Sequence, residues 1–447
     1  MESNFFGDKP TVFEGSTLSL RSELDLFSLP ETNVSQLQSS EYTQFFPLLS
    51  VREPNNPIEF IINVGNQCYL DLRDSWLSIT ARIKKADGTA VPAAELVAPA
   101  NLFFQSMFCN LTVHLNGKLI FDSNNNYALV SYFNRVLTTP ESIKKTKLRS
   151  ELYYEDTNKT FTAANTGYAA RYAVGSASKS FSLLGRLVCG LFQNPRWLPP
   201  SSEVKISLRR SPPHFCLDSK DATVDSKAAS YIYEIEDATF FAGRRPVSNR
   251  IMQLHESLLK KGETFKYILE DPHVRTFNIP AGLSSVSTDS LVLGKIPKYI
   301  VIGFNKTTAL AGNLTEPALY FDHYNIKNVT IHWTGDNQAV RSIPLDFSTT
   351  SNTASDNFLL GLHSLYKTMN NDLVWNGITR ESYTRGQTFV AFELLPQIEG
   401  TLAVNRRGAL KCTFDFREAL SDSITAVIYC IFQSVLEIDR DRQVTLE

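Results

Sequence analysis

The octapeptide Asn110-Leu-Thr-Val-His-Leu-Asn-Gly117 returns in the second half of the chain as Asn328-Val-Thr-Ile-His-Trp-Thr-Gly335. In both copies apolar and polar side chains alternate, which is the pattern of a β-strand that buries one of its faces. A glycine ends both copies, and glycine favours a turn. The two octapeptides therefore predict a pair of equivalent strands, each followed by a turn.

The surroundings of the two octapeptides also correspond. A candidate helix follows each of them, starting near Asn125 and near Ser355, and a strand precedes each of them, around Ile79 and around Val301. Each half then ends with two further predicted strands, at residues 203–209 and 231–235 in the first and 410–416 and 424–432 in the second. Because chance does not readily reproduce the order of neighbours, we infer an internal duplication.

The same period of two recurs in other parts of the chain, most clearly at residues 58–64, 77–83 and 204–208. Antiparallel sandwiches are the architecture that uses many such strands. Eight or so strands in each half, with one helix inserted, fit a jelly roll better than an up-and-down barrel. We therefore predict an all-β chain of two tandem eight-stranded jelly rolls, a double jelly-roll, with short inserted helices.

The predicted organisation has three parts. An N-terminal arm spans residues 1–45, the first jelly roll spans 46–245, and the second spans 246–447 with a short C-terminal tail. At the junction, Ser248 is a candidate N-cap and Gly262 a candidate end for a helix. The apolar stripe of this helix consists of Ile251, Met252, His255, Leu258 and Leu259.

Three long polar stretches separate the predicted strands, at residues 138–180, 215–230 and 306–317. They are too long for hairpin turns and too varied in composition for linkers. We therefore predict that they are loops or excursions at the ends of the sandwiches.

The charge balance argues against a coat that binds nucleic acid directly. The 447 residues include 44 basic and 46 acidic ones, a net charge of −2, whereas neutralising phosphates requires clustered excess cation. The arm is acidic, with only Lys9 and Arg21 against the seven residues Glu2, Asp8, Glu14, Glu23, Asp25, Glu31 and Glu41. We expect the arm to contact protein or to stay mobile.

Cysteine usage and hydropathy indicate assembly inside a cell. Six cysteines are scattered without a C-x-x-C pair, which predicts reduced, buried thiols. The start of the chain lacks a basic region followed by an apolar core, so we expect no secretory signal. The most apolar stretch, residues 424–436, is too short to span a bilayer and predicts a buried strand.

Sequence signatures of catalysis and metal binding are weak. Phosphate loops, G-x-G-x-x-G and G-x-S-x-G are missing from the sequence, and the seven histidines never form H-x-H. His255-Glu256 lacks the second histidine of a zincin. Ser176-Ala-Ser-Lys179 matches S-x-x-K and Ser355-Asp-Asn357 matches S-D-N, but K-T-G is missing, so we read both as chance matches. We assign no catalytic, cofactor-binding or metal-binding residue and expect no enzyme.

Other conspicuous side chains have structural interpretations. His114 and His332 lie on the polar side of the repeated strand, where surface or interdomain hydrogen bonding is the expectation. Large aromatics are common core or interface anchors, and arginine pairs at strand ends are most often solvated or ion-paired. The residues concerned are Trp197, Trp333, Trp375, Arg209-Arg210, Arg244-Arg245 and Arg406-Arg407.

Ten short stretches, from about residue 24 to residue 444, together resemble the major capsid proteins of Polinton/Maverick elements and adintoviruses. Their order and number carry the resemblance, since none is diagnostic alone, and the loops at 138–180 and 215–230 have no match. The stretches are Leu24-Asp-Leu-Phe-Ser-Leu-Pro30, Pro57-Ile-Glu-Phe60, Tyr69-Leu-Asp-Leu72, Asn101-Leu-Phe-Phe-Gln-Ser-Met-Phe108, Leu115-Asn-Gly117, Ile279-Pro-Ala-Gly282, Ile296-Pro297, Phe321-Asp-His-Tyr-Asn-Ile326, Arg406-Arg-Gly408 and Leu436-Glu-Ile-Asp-Arg440.

The resemblance implies a virion capsid protein. Three chains of two jelly rolls each would form a homotrimeric, pseudo-hexagonal capsomer that tiles an icosahedral shell around a double-stranded DNA genome. It also implies neighbouring capsomers, a penton protein and other minor capsid proteins as partners, and a packaging ATPase. No specific nucleic-acid binding, membrane span or cofactor is expected.

Two other functions remain open from the sequence. Paired jelly rolls also occur in glycan-binding proteins and glycan amidases, which need a cleft of carboxylates and aromatics. A nucleic-acid-binding coat would require salt-dependent retention of DNA, which the near-neutral charge does not favour.

Overall fold

The computed structural model describes Leu26, Leu29 and residues 40–220, 231–335, 339–347, 358–369, 375–396 and 402–447. Within these residues, twenty strands form four main sheets and one small two-stranded sheet. The strands of the first half are β1 (Glu41–Phe45), β2 (Ile58–Asn63), β3 (Cys68–Lys85), β4 (Val97–Pro99), β5 (Phe108–Leu115), β6 (Lys118–Asp122), β7 (Phe181–Gly185), β8 (Glu203–Arg210), β9 (Leu217–Ser219) and β10 (Tyr231–Pro246).

The second half of the chain contains the other ten strands. They are β11 (Phe265–Ile279), β12 (Ser285–Ser287), β13 (Val292–Lys295), β14 (Tyr299–Lys306), β15 (Ile326–Gly335), β16 (Ala339–Pro344), β17 (Val390–Glu393), β18 (Arg407–Phe416), β19 (Ile424–Ile438) and β20 (Val444–Leu446).

Helices are short and lie between strands. Those of the described residues are α1 (Phe103–Ser106), α2 (Tyr127–Thr138), α3 (Glu141–Lys144), α4 (Thr166–Gly175), α5 (Gly190–Gln193), α6 (Pro213–Cys216), α7 (Asn249–Lys260), α8 (Thr307–Leu310), α9 (Phe358–Thr368) and α10 (Arg380–Tyr383), with 3₁₀ turns at Lys147–Glu151 and Ser176–Ser178.

The strands of the first half form two antiparallel four-stranded sheets, with the orders β1-β10-β3-β7 and β2-β8-β5-β6. When the eight strands are lettered B to I in chain order, these sheets read B-I-D-G and C-H-E-F. That order is the jelly-roll topology, in which the chain passes repeatedly from one sheet to the other. Strands β4 and β9 pair with each other outside the two sheets.

The second half repeats this topology. Its sheets have the orders β11-β19-β14-β17 and β12-β18-β15-β16, which again read B-I-D-G and C-H-E-F. Two short strands are additions, because β13 continues the β12 edge by pairing with β18 and β20 extends the sheet beside β19. The predicted double jelly-roll is confirmed.

The repeated octapeptide occupies the same place in both jelly rolls, because β5 and β15 are both the strand lettered E. In β5, Leu111, Val113 and Leu115 are buried and the residues between them are less so. The Asn116-Gly117 dipeptide has positive φ at both residues, 49° and 81°, and links Leu115 to Lys118 in a two-residue hairpin. Asn-Gly suits this turn because both residues adopt left-handed backbone at low cost.

Two sequence predictions need correction. The stretch 138–180, predicted to be loops or excursions at the sandwich ends, contains α3, α4 and both 3₁₀ turns, and the α4 N-cap Asn165 accepts a hydrogen bond from the Tyr168 N–H. Tertiary contacts rather than hydrophobic periodicity stabilise these helices. Residues 306–317 likewise contain α8.

The junction helix α7 is only partly as expected. Ser248 occupies its N-cap position, but the Ser248 side chain makes no capping hydrogen bond. Leu259 is the only residue of α7 that is buried, and Leu258 on the same stripe is exposed. Among the described residues, this stripe is therefore only partly covered. All six cysteines are free, and all but Cys109 are buried, as expected.

Candidate functional site

Helix α2 lies between the two jelly rolls. All of its residues except Arg135 and Thr138 are buried, including its polar ones. The Phe133 ring lies 4.9 Å from the Phe321 ring, 5.0 Å from the Phe389 ring and 5.6 Å from the Tyr429 ring, measured between centroids. A helix of the first half is thus packed into the aromatic core of the second half, and the buried apolar side chains of both halves form one continuous cluster.

Hydrogen bonds reinforce this contact between the halves. Asn134 Nδ2 donates to the Tyr429 hydroxyl at 3.2 Å, and Gln193 Nε2 donates to Asn134 Oδ1 at 2.9 Å. The buried Lys144 ammonium donates to the carbonyls of Val136 and Asn376, at 2.5 and 2.6 Å. Burial lowers the pKa of Lys144 to about 8. The halves are therefore joined by polar as well as apolar contacts.

Asp271 is a buried carboxylate at this boundary. Its Oδ1 accepts from the Gly190 N–H and its Oδ2 from the Ser434 hydroxyl, both at 3.1 Å. Burial raises the pKa of Asp271 to about 6, although both hydrogen bonds favour the ionised form. Gly190 begins α5 of the first half, so this side chain pins α5 to β11 of the second half.

Helix α9 occupies in the second jelly roll the place that α2 occupies in the first. Each follows the hairpin that contains the octapeptide strand and precedes the next strand, β7 or β17. Phe358, Leu362 and Leu365 of α9 point into the core, but its outer side is solvent-exposed. We call this outer side the α9 face; it consists of Leu359, Leu360, His363 and Lys367.

Exposed apolar groups continue beside α9. Trp375 packs against Tyr366 of α9 with ring centroids 5.4 Å apart, and its indole N–H donates to Glu141 Oε2 of α3 at 3.0 Å. Ile143 of the same short helix is also exposed. This Trp375 is an anchor between the halves, as one of the two sequence interpretations expected.

Among the described residues, Arg171 of α4 is the largest fully buried side chain. Its guanidinium donates to the Pro99 carbonyl at 2.9 Å, to Asp156 at 3.0 Å and to Asp218 at 3.2 Å. Burial raises the pKa of Asp218 while the charge of Arg171 opposes that shift. These groups are mutually paired and tie α4 to β4 and β9, which is a structural role. Sequence patterns gave no signal for them, because the three charges are far apart in the chain.

The sequence-predicted polar residues do not converge on one site. Arg245 pairs with Asp71 at 2.7 Å and Asp74 at 2.6 Å, the ion pairing expected of it. His255 hydrogen-bonds the Tyr69 hydroxyl through Nδ1 at 2.6 Å. His114 is partly buried, and its Nδ1 has no hydrogen-bond partner among the described residues. Ser355-Asp-Asn357 lies outside the described residues.

Trp333 and Trp197 also have identified surroundings. Trp333 is buried with the Arg406 guanidinium 5.5 Å from its ring, and Arg245 lies 5.7 Å from the Trp197 ring. In the part of the chain that the structure describes, no group of three or more His, Cys, Asp or Glu side chains is placed to hold a metal ion. In that same part, no helix has the length and apolar character to cross a membrane.

Comparison with known proteins gives few sequence relatives. No family model matches the chain. An uncharacterized protein of Caenorhabditis elegans is 22% identical over 414 residues, which covers 90% of this chain and 96% of the relative.

Solved structures give much stronger likeness in fold. A Sputnik virophage chain is 14% identical with a TM-score of 0.64, covering 97% of this chain and 93% of that one. A chain of the PBCV-1 virus capsid is 10% identical with a TM-score of 0.58, and the match covers 94% of this chain and 98% of that one. The mavirus major capsid protein is 12% identical with a TM-score of 0.54, and the match covers 98% of this chain and 97% of that one. Over nearly its whole length, the chain has the double jelly-roll fold of these viral capsid proteins.

Proposed function

We propose that this chain is a structural, non-enzymatic major capsid protein. Three copies form a pseudo-hexagonal capsomer, and capsomers tile an icosahedral shell around a double-stranded DNA genome. The observation that carries the proposal is the likeness to virophage and large DNA virus capsid chains, which extends over both jelly rolls and leaves little of either chain unmatched.

The difference between α2 and the α9 face supports the trimer. The second jelly roll covers α2 within one chain, whereas the equivalent α9 keeps Leu360 54% exposed. If the first jelly roll of another copy covers the α9 face, the contact repeats head to tail. Two similar halves per chain then close a ring of six lobes with three chains.

The lineage is proposed from the ten short stretches that resemble Polinton/Maverick and adintovirus capsid proteins. A relative in a nematode fits a capsid gene carried in an animal genome. In this proposal the arm, predicted as residues 1–45, ends before β1, because Glu41–Phe45 pairs with β10; the first jelly roll then extends to residue 245 and the second spans 246–447. Penton and minor capsid proteins are the expected partners, and the protein is assembled inside the host cell into the virion.

The association state of the purified full-length chain tests the proposal. We expect light scattering to give three times the chain mass, and negative-stain images to show tiles with six lobes. A strictly monomeric profile at every concentration would contradict the trimer. A DNA-retention assay at several salt concentrations distinguishes a nucleic-acid-binding coat, for which retention should weaken steeply with salt.

A further inference from the structure

A cavity of about 410 Å³ lies at the end of the first jelly roll where β8 finishes. Its walls come from the segment before β2, the end of β3, the end of β8 and the start of β10. Arg52, Lys84 and Arg210 line it, and among the described lining residues Glu234 is the one acid. Glu234 already pairs with Lys84 at 2.5 Å and with Arg82 at 3.0 Å. Within this described lining, the charges of the two arginines are therefore unbalanced.

Arg210 holds its guanidinium in a partly buried position. Its Nη2 donates to the Val51 carbonyl, whereas its Nε is buried and has no hydrogen-bond partner among the described residues. Burial lowers the pKa of Arg210, and the charge of Glu53 opposes this shift only in part. The adjacent Ser211 is 4% exposed, and its hydroxyl also lacks a partner in the described part of the chain. Buried donors without acceptors are costly, so an anion that accepts from them would be stabilising.

The second jelly roll shows that the fold does not need an arginine at this place. Strands β8 and β18 are equivalent, and Arg210 is in register with Phe108 of β5 just as Phe416 is with Ile326 of β15. A β-bulge follows each of these pairs, next to the first residue of the octapeptide. Phe416 is 4% exposed and its ring lies 5.9 Å from that of Phe304, so an apolar side chain fills the position there. A guanidinium in the same place in the first half indicates binding rather than packing.

The remaining walls of the cavity are apolar and rigid. The Tyr233 hydroxyl is hydrogen-bonded to the carbonyls of Met107 and Ser211, at 3.0 and 2.9 Å, so it is committed within the protein. The other apolar lining residues are Pro54, Pro212, Pro213 and Ile232. Proline has a fixed φ, so such a wall loses little conformational entropy when a ligand binds. The cavity therefore combines unbalanced cations with a preformed apolar wall.

We propose that this cavity binds a carboxylate carried on an apolar group, with the Arg210 guanidinium as the principal donor and Arg52 as the second cation. A guanidinium hydrogen-bonds a planar carboxylate through two N–H groups, and the apolar walls take the rest of the ligand. A phosphate ion offers nothing to those walls. The ligand chemistry is shared by a free organic acid and by the carboxyl end of a peptide. The assignment does not involve the α9 face and holds for a monomer as well as for a trimer.

Isothermal titration calorimetry of the full-length protein tests the ligand class. The probe is phenylacetate, and we expect saturable binding with a Kd of about 1 mM for a ligand of about ten heavy atoms. Phenylacetamide has nearly the same shape without the charge and should bind at least about tenfold more weakly. Inorganic phosphate at equal ionic strength should also bind more weakly than phenylacetate. Equal binding of the amide or of phosphate, or no saturable binding of phenylacetate, would overturn the proposal.

A second pair of probes identifies the source of the carboxylate. N-acetylphenylalanine carries the carboxyl end of a peptide, and N-acetylphenylalanine amide is its neutral counterpart. Tighter binding of N-acetylphenylalanine than of phenylacetate would assign the site to a peptide end, and the reverse order would assign it to a free acid. Binding of the amide as tight as that of the acid would contradict the role given to the carboxylate.

Variants test whether the ligand binds in this cavity. Arg210→Phe introduces the residue of the second jelly roll, so we expect urea denaturation to show a retained fold while phenylacetate binding falls at least about tenfold. Arg52→Gln, at an exposed position outside the core, should weaken binding by about threefold.

The matched control is Arg209→Gln, because Arg209 is exposed, adjacent to Arg210 and outside the described lining. This variant should bind phenylacetate as the parent does. Equal losses for the Arg209 and Arg210 variants, or undiminished binding by Arg210→Phe or by Arg52→Gln, would overturn the assignment.

Discussion

Helices α2 and α9 occupy equivalent places in two jelly rolls of the same topology, yet α2 is buried except at Arg135 and Thr138, whereas α9 is exposed along the α9 face. The difference does not come from polarity, since α9 carries four leucines and a phenylalanine in eleven residues. It arises because the second jelly roll covers α2, whereas none of the described residues covers the α9 face. An apolar face without a partner is typical of an assembly surface.

The largest expected effect is at the covered helix. Phe133→Ala removes a ring packed against three aromatic residues of the other half, so we expect a loss of about 3–5 kcal/mol in the free energy of unfolding. Urea denaturation measures it. The comparison is with Leu360→Ala on the α9 face, which should change stability by about 0.5 kcal/mol or less. Similar losses for both variants would contradict the contrast between the helices.

The exposed helix should instead affect assembly. Leu360→Asp places a charge in the proposed contact, and we expect the concentration for half-trimerisation to rise by about 30-fold, equivalent to about 2 kcal/mol. Light scattering over a dilution series measures this, and thermal denaturation of the monomer should be unchanged. Leu254→Asp on α7, which is equally exposed, is the control. An equal effect of both variants would remove α9 from the interface.

Asp271 tests the contact within the chain through its pH dependence. Burial raises its pKa from 3.8 to about 6, so its contribution to stability is greatest below pH 3.8 and is lost as the pH rises through 6. Asp271→Asn keeps an acceptor for Gly190 and avoids burying a charge. We expect this variant to be about 1–3 kcal/mol more stable than the parent at pH 8 and equal to it at pH 4. Urea titrations at both pH values measure the difference, and a difference independent of pH would contradict the assignment.

The two octapeptides should differ in how much their first residue stabilises the protein. Asn110 is buried and its Oδ1 accepts from the Ser123 hydroxyl at 2.6 Å and from the Asn125 N–H at 3.0 Å, whereas Asn328 is partly exposed. We expect Asn110→Ala to lower the free energy of unfolding by about 2 kcal/mol and Asn328→Ala by less than about 1 kcal/mol. Thermal denaturation measures the stability loss of each variant. A larger loss for Asn328→Ala than for Asn110→Ala would contradict the stronger role assigned to Asn110.

Strand patterns predicted the sheets well because the rule behind them is local. Alternation at 77–83 and 410–416 identifies strands wherever one face meets a core, and the structure places both within longer strands. The helices at 166–175 and 307–310 were missed, since their stability comes from contacts such as those of Arg171 with Asp156 and Asp218 rather than from an apolar stripe.

The candidate surfaces were harder to predict. Exposed leucines at 359 and 360 look like core residues in the sequence, and Tyr69, Phe265 and Arg442 come together only because β3, β11 and the C-terminal segment meet at the junction. Residues that lie hundreds of positions apart carry no shared periodicity. A single sequence therefore cannot show that they meet.

Local patterns in the sequence were enough to predict the duplication, the two sandwiches and the octapeptide strands, because hydrophobic alternation and turn residues act over a few positions. The packing of remote segments set which helix is covered, where Asp271 joins the halves and that Arg442 lies against Phe265. Those features depend on the distance between segments remote in the chain, which the packing of the two jelly rolls sets.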